Sequence, residues 1–174
     1  MGGVMEVTSE LNKGSRFVFS LEFENAAEGS ASEKIETEAA VSDISIAGKK
    51  ILLVDDVDIN RIIVIELLGN TGVEIDEAGD GEDALNKYLK SPLNYYDCIL
   101  MDVQMPKMNG YAATKAIRQS GRGDCGLPVI AMTANALKED IERAKENGMT
   151  DHLAKPIDFD LCLKKIKKYC GKNS

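Results

Sequence analysis

The chain has little of what membrane-spanning, secreted and zinc-binding proteins need. Its longest apolar stretch, around Ile62 to Leu68, is interrupted by Glu66 and falls far short of the roughly 20 residues that cross a bilayer. No basic segment followed by an apolar run opens the sequence, and Glu6 spoils the Met-Gly start as a myristoylation signal. The four cysteines, Cys98, Cys125, Cys162 and Cys170, form no Cys-x-x-Cys pair and have no histidine nearby. That argues against a zinc site and a disulfide framework, and leaves reduced cysteines that act mainly as small core residues. A cytoplasmic location is expected, with any parent chain free to be membrane-attached. Basic excess is missing too. The net charge is −8; residues 1–48 carry nine acids against three bases, and residues 49–174 twenty against eighteen. The part with folding potential therefore offers no cationic face, and nucleic acid is not an expected partner.

What is present falls into three zones. Residues 1–23 read as a β-hairpin: Val4 to Ser9, a turn through Leu11-Asn12-Lys13-Gly14, then Arg16 to Phe23, with Phe17, Phe19, Leu21 and Phe23 alternating onto one face. A two-stranded hairpin is marginal alone in water, so that face needs a partner. Residues 24–48 have linker composition, with six acids, one lysine and no aromatic residue. From Lys49 to about 172, short unbroken apolar runs alternate with helical periodicity. Ile51 to Val54 precedes Ile59, Ile62, Ile63 and Leu67; Val73 to Glu77 precedes Ala84, Leu85, Tyr88 and Leu89; Cys98 to Met101 precedes a helix over 109–119. Val129 to Met132 precedes a helix ending near Gly148, and His152-Leu153 precedes Phe159, Cys162, Ile166 and Tyr169. Five strand-helix units imply an α/β, doubly wound five-stranded parallel sheet with helices on both faces.

In such sheets ligands bind beyond the carboxyl ends of the strands. The residues there are Asp55 and Asp56 after the first run, Asp102 after the third, Thr133 after the fourth and Lys155-Pro156 after the fifth. Carboxylates about 5 Å apart repel by roughly 3 kcal/mol at an effective dielectric near 20, so three of them call for a cation. Oxygen ligands in a small open site suit Mg²⁺, or Mn²⁺. With the cation bound, Asp102 can stay ionised as a nucleophile, and the metal, Lys155 and the Thr133 hydroxyl can meet charge on a transferring phosphoryl group.

The stretches ILLVDDVDINR, DCILMDVQMPKMNGYAA, LPVIAMTANA and HLAKP resemble, in order and spacing, the signature segments of response-regulator receiver domains. The resemblance implies a flavodoxin-like fold with strand order 2-1-3-4-5. It implies phosphorylation of Asp102 by a histidine kinase or a histidine phosphotransfer protein, and Mg²⁺ bound by Asp56 directly, Asp55 mainly through water, and the Gln104 carbonyl. Thr133 and Lys155 would hold the phosphoryl oxygens, Pro106 and Gly110 would shape the acceptor loop, and Pro156 would follow Lys155 through a cis peptide. Thr133 and residue 152 are the expected switch positions, but His152 stands where the family often has Tyr or Phe, so aromatic switching in its usual form is not expected. Residues 1–23 resemble the closing hairpin of a histidine-kinase ATP-binding domain. No nucleotide-binding box accompanies it, and the single histidine lies within the receiver zone. The chain thus resembles a fragment of a hybrid sensor histidine kinase, one that promotes only its own phosphorylation and dephosphorylation. As no DNA-binding segment follows Cys170, a histidine phosphotransfer protein is the expected recipient.

Blander readings stand beside these. Asp58 is expected to cap the first helix, and Lys164, Lys165, Lys167 and Lys168 to form the solvated face of the last helix. The Arg122-Gly123-Asp124 triplet is expected to be incidental, and His152 to be a half-exposed strand-end residue as readily as a switch. Gln104 and Asn135 would flank the phosphoryl group. Two other functions compete. Asp56-Val57-Asp58 superficially matches the Asp-x-Asp of haloacid-dehalogenase-type phosphatases, although Asn60 stands where that family wants Thr or Val. An interaction module that never turns over, dimerising through residues 3–23 or laying them on the receiver, is the other.

Overall fold

The computed structural model describes residues 3–10, 14–21, 45–134 and 138–171. The chain divides into two compact units, Met1–Glu36 and Thr37–Ser174. In the first, β1 (Gly3–Glu10) pairs antiparallel with β2 (Gly14–Leu21), Val7 opposite Phe17 and Met5 opposite Phe19, with Gly14 at φ +107° closing the turn. The expected hairpin is there, with each strand starting a residue or two earlier than read. In this unit the strand register is described, with Thr8 and Gly14 exposed; the proposed apolar face of Phe17, Phe19 and Leu21, and Phe23 itself, lie outside the described residues.

The second unit runs β3 (Lys50–Val54), α1 (Asp58–Leu68), β4 (Glu74–Ala78), α2 (Gly81–Lys90), β5 (Cys98–Asp102) and α3 (Gly110–Gln119). It continues with β6 (Val129–Thr133), α4 (Lys138–Glu146), β7 (Asp151–Ala154) and α5 (Phe159–Cys170). All five strands are parallel in the order β4-β3-β5-β6-β7, which is the expected 2-1-3-4-5. The chain order reverses between β3 and β5, the place where such sheets open a crevice.

The period-two geometry of a strand explains the two cores. Leu52, Val54, Ile99, Met101, Val129 and Ala131 point to one face and pack with residues of α2, α3 and α4, among them Tyr88, Ile117 and Ala144. Ile51, Leu53, Leu100, Ile130, Met132 and Leu153 point to the other, against Val64 and Leu68 of α1 and Cys162, Ile166 and Cys170 of α5. Burial on both faces is why these strands read as unbroken apolar runs. Cys98, Cys162 and Cys170 are buried free thiols, with Cys162 pushed up to about 12 by burial, while Cys125 is only partly buried.

Helix ends follow local chemistry. Asp80, Asn109 and Asp158 cap α2, α3 and α5, each side chain accepting from the N–H three residues on. Gly148, at φ +85°, ends α4 as expected: its N–H donates to Lys145 and that of Met149 to Ala144, the paired bonds of a Schellman motif.

Three readings need correction, and the buried face of α1 is one that helical spacing left open. Asp58 does not cap α1; Val57 occupies that position, and Asp58 ion-pairs with Arg61 at 2.7 Å. Ile59, Ile62 and Ile63 recur at helical spacing but are about half exposed, while Val64 and Leu68 carry the buried stripe. Periodicity locates two apolar stripes on α1 and cannot say which one meets the sheet. The Arg122-Gly123-Asp124 triplet is not incidental. Arg122 grips Asp124 through two hydrogen bonds of 2.9 and 3.0 Å, donates to the carbonyls of Leu89, Ser91 and Pro92, and lies over the Tyr88 ring. Asp124 in turn accepts from the Tyr88 hydroxyl and the Asn94 N–H, so the triplet clamps the loop after α2 to the loop after α3. The Arg122 guanidinium holds its carboxyl well below the usual carboxylate range.

Lys165 is likewise not a solvated residue. It bonds Asp151 at 2.5 Å, and Asp151 also accepts from the Tyr169 hydroxyl at 2.8 Å, pinning α5 to the edge strand β7. Burial pushes the Asp151 carboxyl up, but Lys165, the His152 N–H and Tyr169 outweigh it and hold the group below the usual range. A carboxyl depressed on folding contributes stability that is present at neutral pH and lost as pH falls through its folded value, below about 4. Asp151→Asn should therefore cost about 1–2 kcal/mol at pH 7, the worth of hydrogen bonds to a charged group. The gap between variant and wild type should narrow as pH falls below the ordinary carboxylate range, as read from urea unfolding at neutral and at acid pH. A gap independent of pH would remove the charge from the explanation.

Candidate functional site

The carboxyl ends of β3, β5, β6 and β7 bring the expected residues together. Asp102 ends β5, Thr133 ends β6, Asp55 and Asp56 follow β3, and Lys155 follows β7. Asp55, Asp56 and Asp102 each offer a carboxylate oxygen, all within 4.8 Å of one another; Asp55 and Asp102 are buried and Asp56 is exposed. Asp58 is not part of this group, and its side chain is 84% exposed.

Lys155, 100 positions from Asp55, reaches both buried acids: its Nζ lies 2.7 Å from Asp55 Oδ2 and 2.6 Å from Asp102 Oδ2. Its backbone N–H donates to the Thr133 carbonyl at 2.7 Å, and the Lys155–Pro156 peptide is cis, as the resemblance implied. Burial pushes the Asp102 carboxyl up, and the hydrogen bonds from Lys155 and the Gln104 N–H only partly offset it. Burial alone would lower Lys155, but its bonds to Asp102 and Asp55 prevail and raise it. The ammonium is therefore firmly charged, while the acceptor carboxyl is held in a setting that disfavours its charge.

Residues the sequence reading passed over shape the site. Asp55 Oδ1 accepts from the Val57 N–H and from Asn60 Nδ2, both at 3.0 Å, which fixes the turn into α1. Arg61 donates to the Asp55 carbonyl at 2.7 Å and to Glu77 at 2.9 Å, bracing the acidic loop against β4. Asn60 entered the reading only as a mismatch to a phosphatase motif; its place one turn after Asp55 was the available signal. On the other side of the acceptor, Gln104 is exposed and its N–H donates to Asp102 Oδ1 at 3.1 Å. Gly110 opens α3 where a Cβ would overlap the Asp102 carbonyl, and Gly81 opens α2 where one would overlap the Met108 carbonyl. Both helices thus approach the acceptor loop more closely than any other residue allows. Lys107, at φ +63°, ties that loop to Asp80 at 2.9 Å. Asn135 lies outside the described residues. His152 is half-buried on β7, its Nδ1 3.6 Å from Asp151, and burial and Lys165 lower its pKa.

The donor set is three hard oxygens at a crevice open to water through Asp56, which fits a small divalent cation that keeps part of its hydration shell. A model of the response regulator receiver domain family matches residues 51–167. The chain belongs to the response regulator receiver family. The Escherichia coli K12 sensor histidine kinase RcsC is 44% identical to the receiver chain over 133 residues, 76% of this chain but only 13% of that protein. The receiver domain of the sensor histidine kinase PA1611 from Pseudomonas aeruginosa is 35% identical. It superposes with a TM-score of 0.64 over 72% of this chain and all of that one, and its structure holds a magnesium ion in the active-site cleft. The receiver domain of Ssk1, solved with the phosphotransfer protein Ypd1 of Saccharomyces cerevisiae, is 27% identical with a TM-score of 0.64 over 71% of this chain and 89% of that one. No helix among the described residues is long and apolar enough to cross a membrane.

Proposed function

We propose that the receiver accepts a phosphoryl group from a phosphohistidine onto Asp102 and signals through the resulting change of charge. The observation that carries this is the meeting of Asp55, Asp56 and Asp102 with one ammonium, Lys155, bonded to the two buried acids. An Asp102 carboxylate oxygen attacks phosphorus, the P–N bond of phosphoimidazole breaks, and the imidazole leaves with a proton. Asp55, Asp56, Asp102 and the Gln104 carbonyl would hold Mg²⁺, or Mn²⁺. When bound, the ion neutralises carboxylate repulsion and developing phosphoryl charge. Asp56 is the exposed acid and suits direct ligation; both Asp55 oxygens already accept hydrogen bonds, which suits a role through water. Thr133 and Lys155 would take phosphoryl oxygens, and the shift in charge would be read at Thr133 and at His152.

The phosphohistidine belongs to a kinase or a histidine phosphotransfer protein. Val57, Ile59, Ile62 and Ile63, 43–58% exposed beside the acidic loop, give an apolar platform for such a partner. The solved Ypd1–Ssk1 complex supports pairing of this kind. Residues 1–23 as a kinase-domain remnant, 24–48 as linker and 49–172 as receiver would make the chain part of a cytoplasmic portion of a hybrid kinase, whose ATP chemistry lies elsewhere. Asp58, turned out to Arg61, leaves the phosphatase reading without its second acid. With Mg²⁺ and acetyl phosphate, the protein should gain one base-labile phosphoryl mass, and omission of the divalent cation should prevent it. Intact-mass measurement checks this; an unmodified chain under saturating phosphodonor would end the reading.

A further inference from the structure

We propose that Arg143 is a second cationic contact for the phosphoryl group, one that leaves the Tyr111 ring and crosses a neighbouring cavity once Asp102 is modified. The inference rests on the acceptor reading above and deepens it. A cavity of about 480 Å³ adjoins the acceptor on the α3 and α4 side, walled by Gln104, Asn109, Tyr111, Thr133, Asp140 and Arg143. Gln104 and Thr133 connect it to Asp102: the Gln104 N–H bonds the acceptor carboxylate, and Thr133 ends the adjacent strand. Lys155 instead lines a separate space of about 130 Å³ with Asp55, Asn60, Ile63 and Ile157, on the α1 side. The two cations therefore approach the acceptor from opposite faces of the sheet edge.

Charge balance gives the second cation a purpose. An acyl phosphate at Asp102 carries about −2, so with Asp55 and Asp56 the pocket holds about −4. Lys155 and one divalent cation supply +3, leaving roughly one negative charge uncompensated. Arg143 is the one cation on that cavity's wall among the described residues. Its guanidinium lies over the Tyr111 ring at 5.2 Å, and no carboxylate pairs with it among the described residues, although Asp140 stands one turn away. A ring contact at an exposed position is weaker than a hydrogen bond to a phosphoryl oxygen, and the planar fork of arginine fits such oxygens in pairs. Tyr111 follows Gly110, the residue packed on the Asp102 carbonyl, so the resting place of Arg143 is fixed to the acceptor itself.

The probe is beryllium fluoride with Mg²⁺, which adds a phosphoryl-like group to a carboxylate, titrated by NMR into the whole chain. Arg143→Gln should weaken its binding about tenfold or more, the loss of one charge-assisted hydrogen bond. Arg143→Lys should lose less, because it keeps the charge without the fork, and Tyr111→Phe should bind as wild type. Arg143 is exposed on α4, so the melting temperatures of these variants should stay within about 2 °C of wild type, which separates a phosphoryl contact from a packing role. Equal affinity of wild type and Arg143→Gln would overturn this inference while leaving the acceptor reading intact. Failure of wild type to bind the probe, or binding that survives Asp102→Asn, would overturn both.

Discussion

Asp102→Asn should abolish phosphorylation by acetyl phosphate and, measured in a chelator, leave the protein more stable than wild type. The first effect follows because the amide that replaces the acceptor oxygen is not a nucleophile; no other carboxylate among the described residues combines burial with the reach of Lys155 and a place at a strand end, except Asp55. Asp55 already accepts three hydrogen bonds, two on Oδ1 from the Val57 N–H and Asn60 and one on Oδ2 from Lys155, which makes it the poorer nucleophile. The second effect follows from the sign of the Asp102 shift. Its carboxyl is pushed up by burial despite Lys155, so ionised Asp102 is a net cost to the fold at neutral pH when no cation is bound. The amide removes that cost and keeps the shape, and Lys155 keeps Asp55. Adding Mg²⁺ should stabilise wild type by mass action and close the gap. The measurement is urea unfolding with chelator and with millimolar Mg²⁺. A variant that is less stable than wild type in chelator would show that the Lys155 bond outweighs the burial of the charge.

The parts of this protein visible in its sequence are those decided by near neighbours. Ile51 to Val54 and Val129 to Met132 are buried on both faces, so no polar residue interrupts them, and each strand declares itself along with the acid or hydroxyl that follows it. The five convergent residues could be found because parallel crossovers bring every strand's carboxyl end to one edge. What stayed hidden depends on which distant side chains meet. Arg122 is thirty or more positions from the carbonyls of Leu89, Ser91 and Pro92 that it holds, and Lys165 is fourteen from Asp151. Nothing in either charge announces its partner. The outward face of α1 stayed hidden for a different reason: Ile59, Ile62 and Ile63 have the spacing of a core face, and only the docking of Val64 and Leu68 on the sheet decides that they face outward. Arg143 belongs to no motif at all, and becomes a candidate only through the cavity that it shares with Thr133.

Gly110→Ala should destabilise the receiver by about 3 kcal/mol, lower its melting temperature by roughly 10 °C, and slow phosphorylation about 10²-fold. The conformation of Gly110 is not the reason, since its φ is not among the positive ones. Space is. An added Cβ would overlap the Asp102 carbonyl oxygen and sit 2.9 Å from Met101 Cγ, and both neighbours belong to β5, a strand buried at every position. Neither can yield cheaply, because Met101 pairs with Val54 and Ala131, and Asp102 with Met132, across two sheet partners. The helix must retreat instead, and it is tied in place by the Asn109 cap at 2.9 Å and by the Gly110 N–H on the Val103 carbonyl at 3.2 Å. Its withdrawal would drag the acceptor loop, and with it the Gln104 N–H that bonds the Asp102 carboxylate. Gly126→Ala is the control: a Cβ there meets nothing within 4 Å, and the change should alter neither property beyond about 0.5 kcal/mol. A Gly110→Ala protein as stable as wild type that still phosphorylates at the wild-type rate would mean that α3 is free to shift without moving Asp102, and that the close approach is incidental to the site.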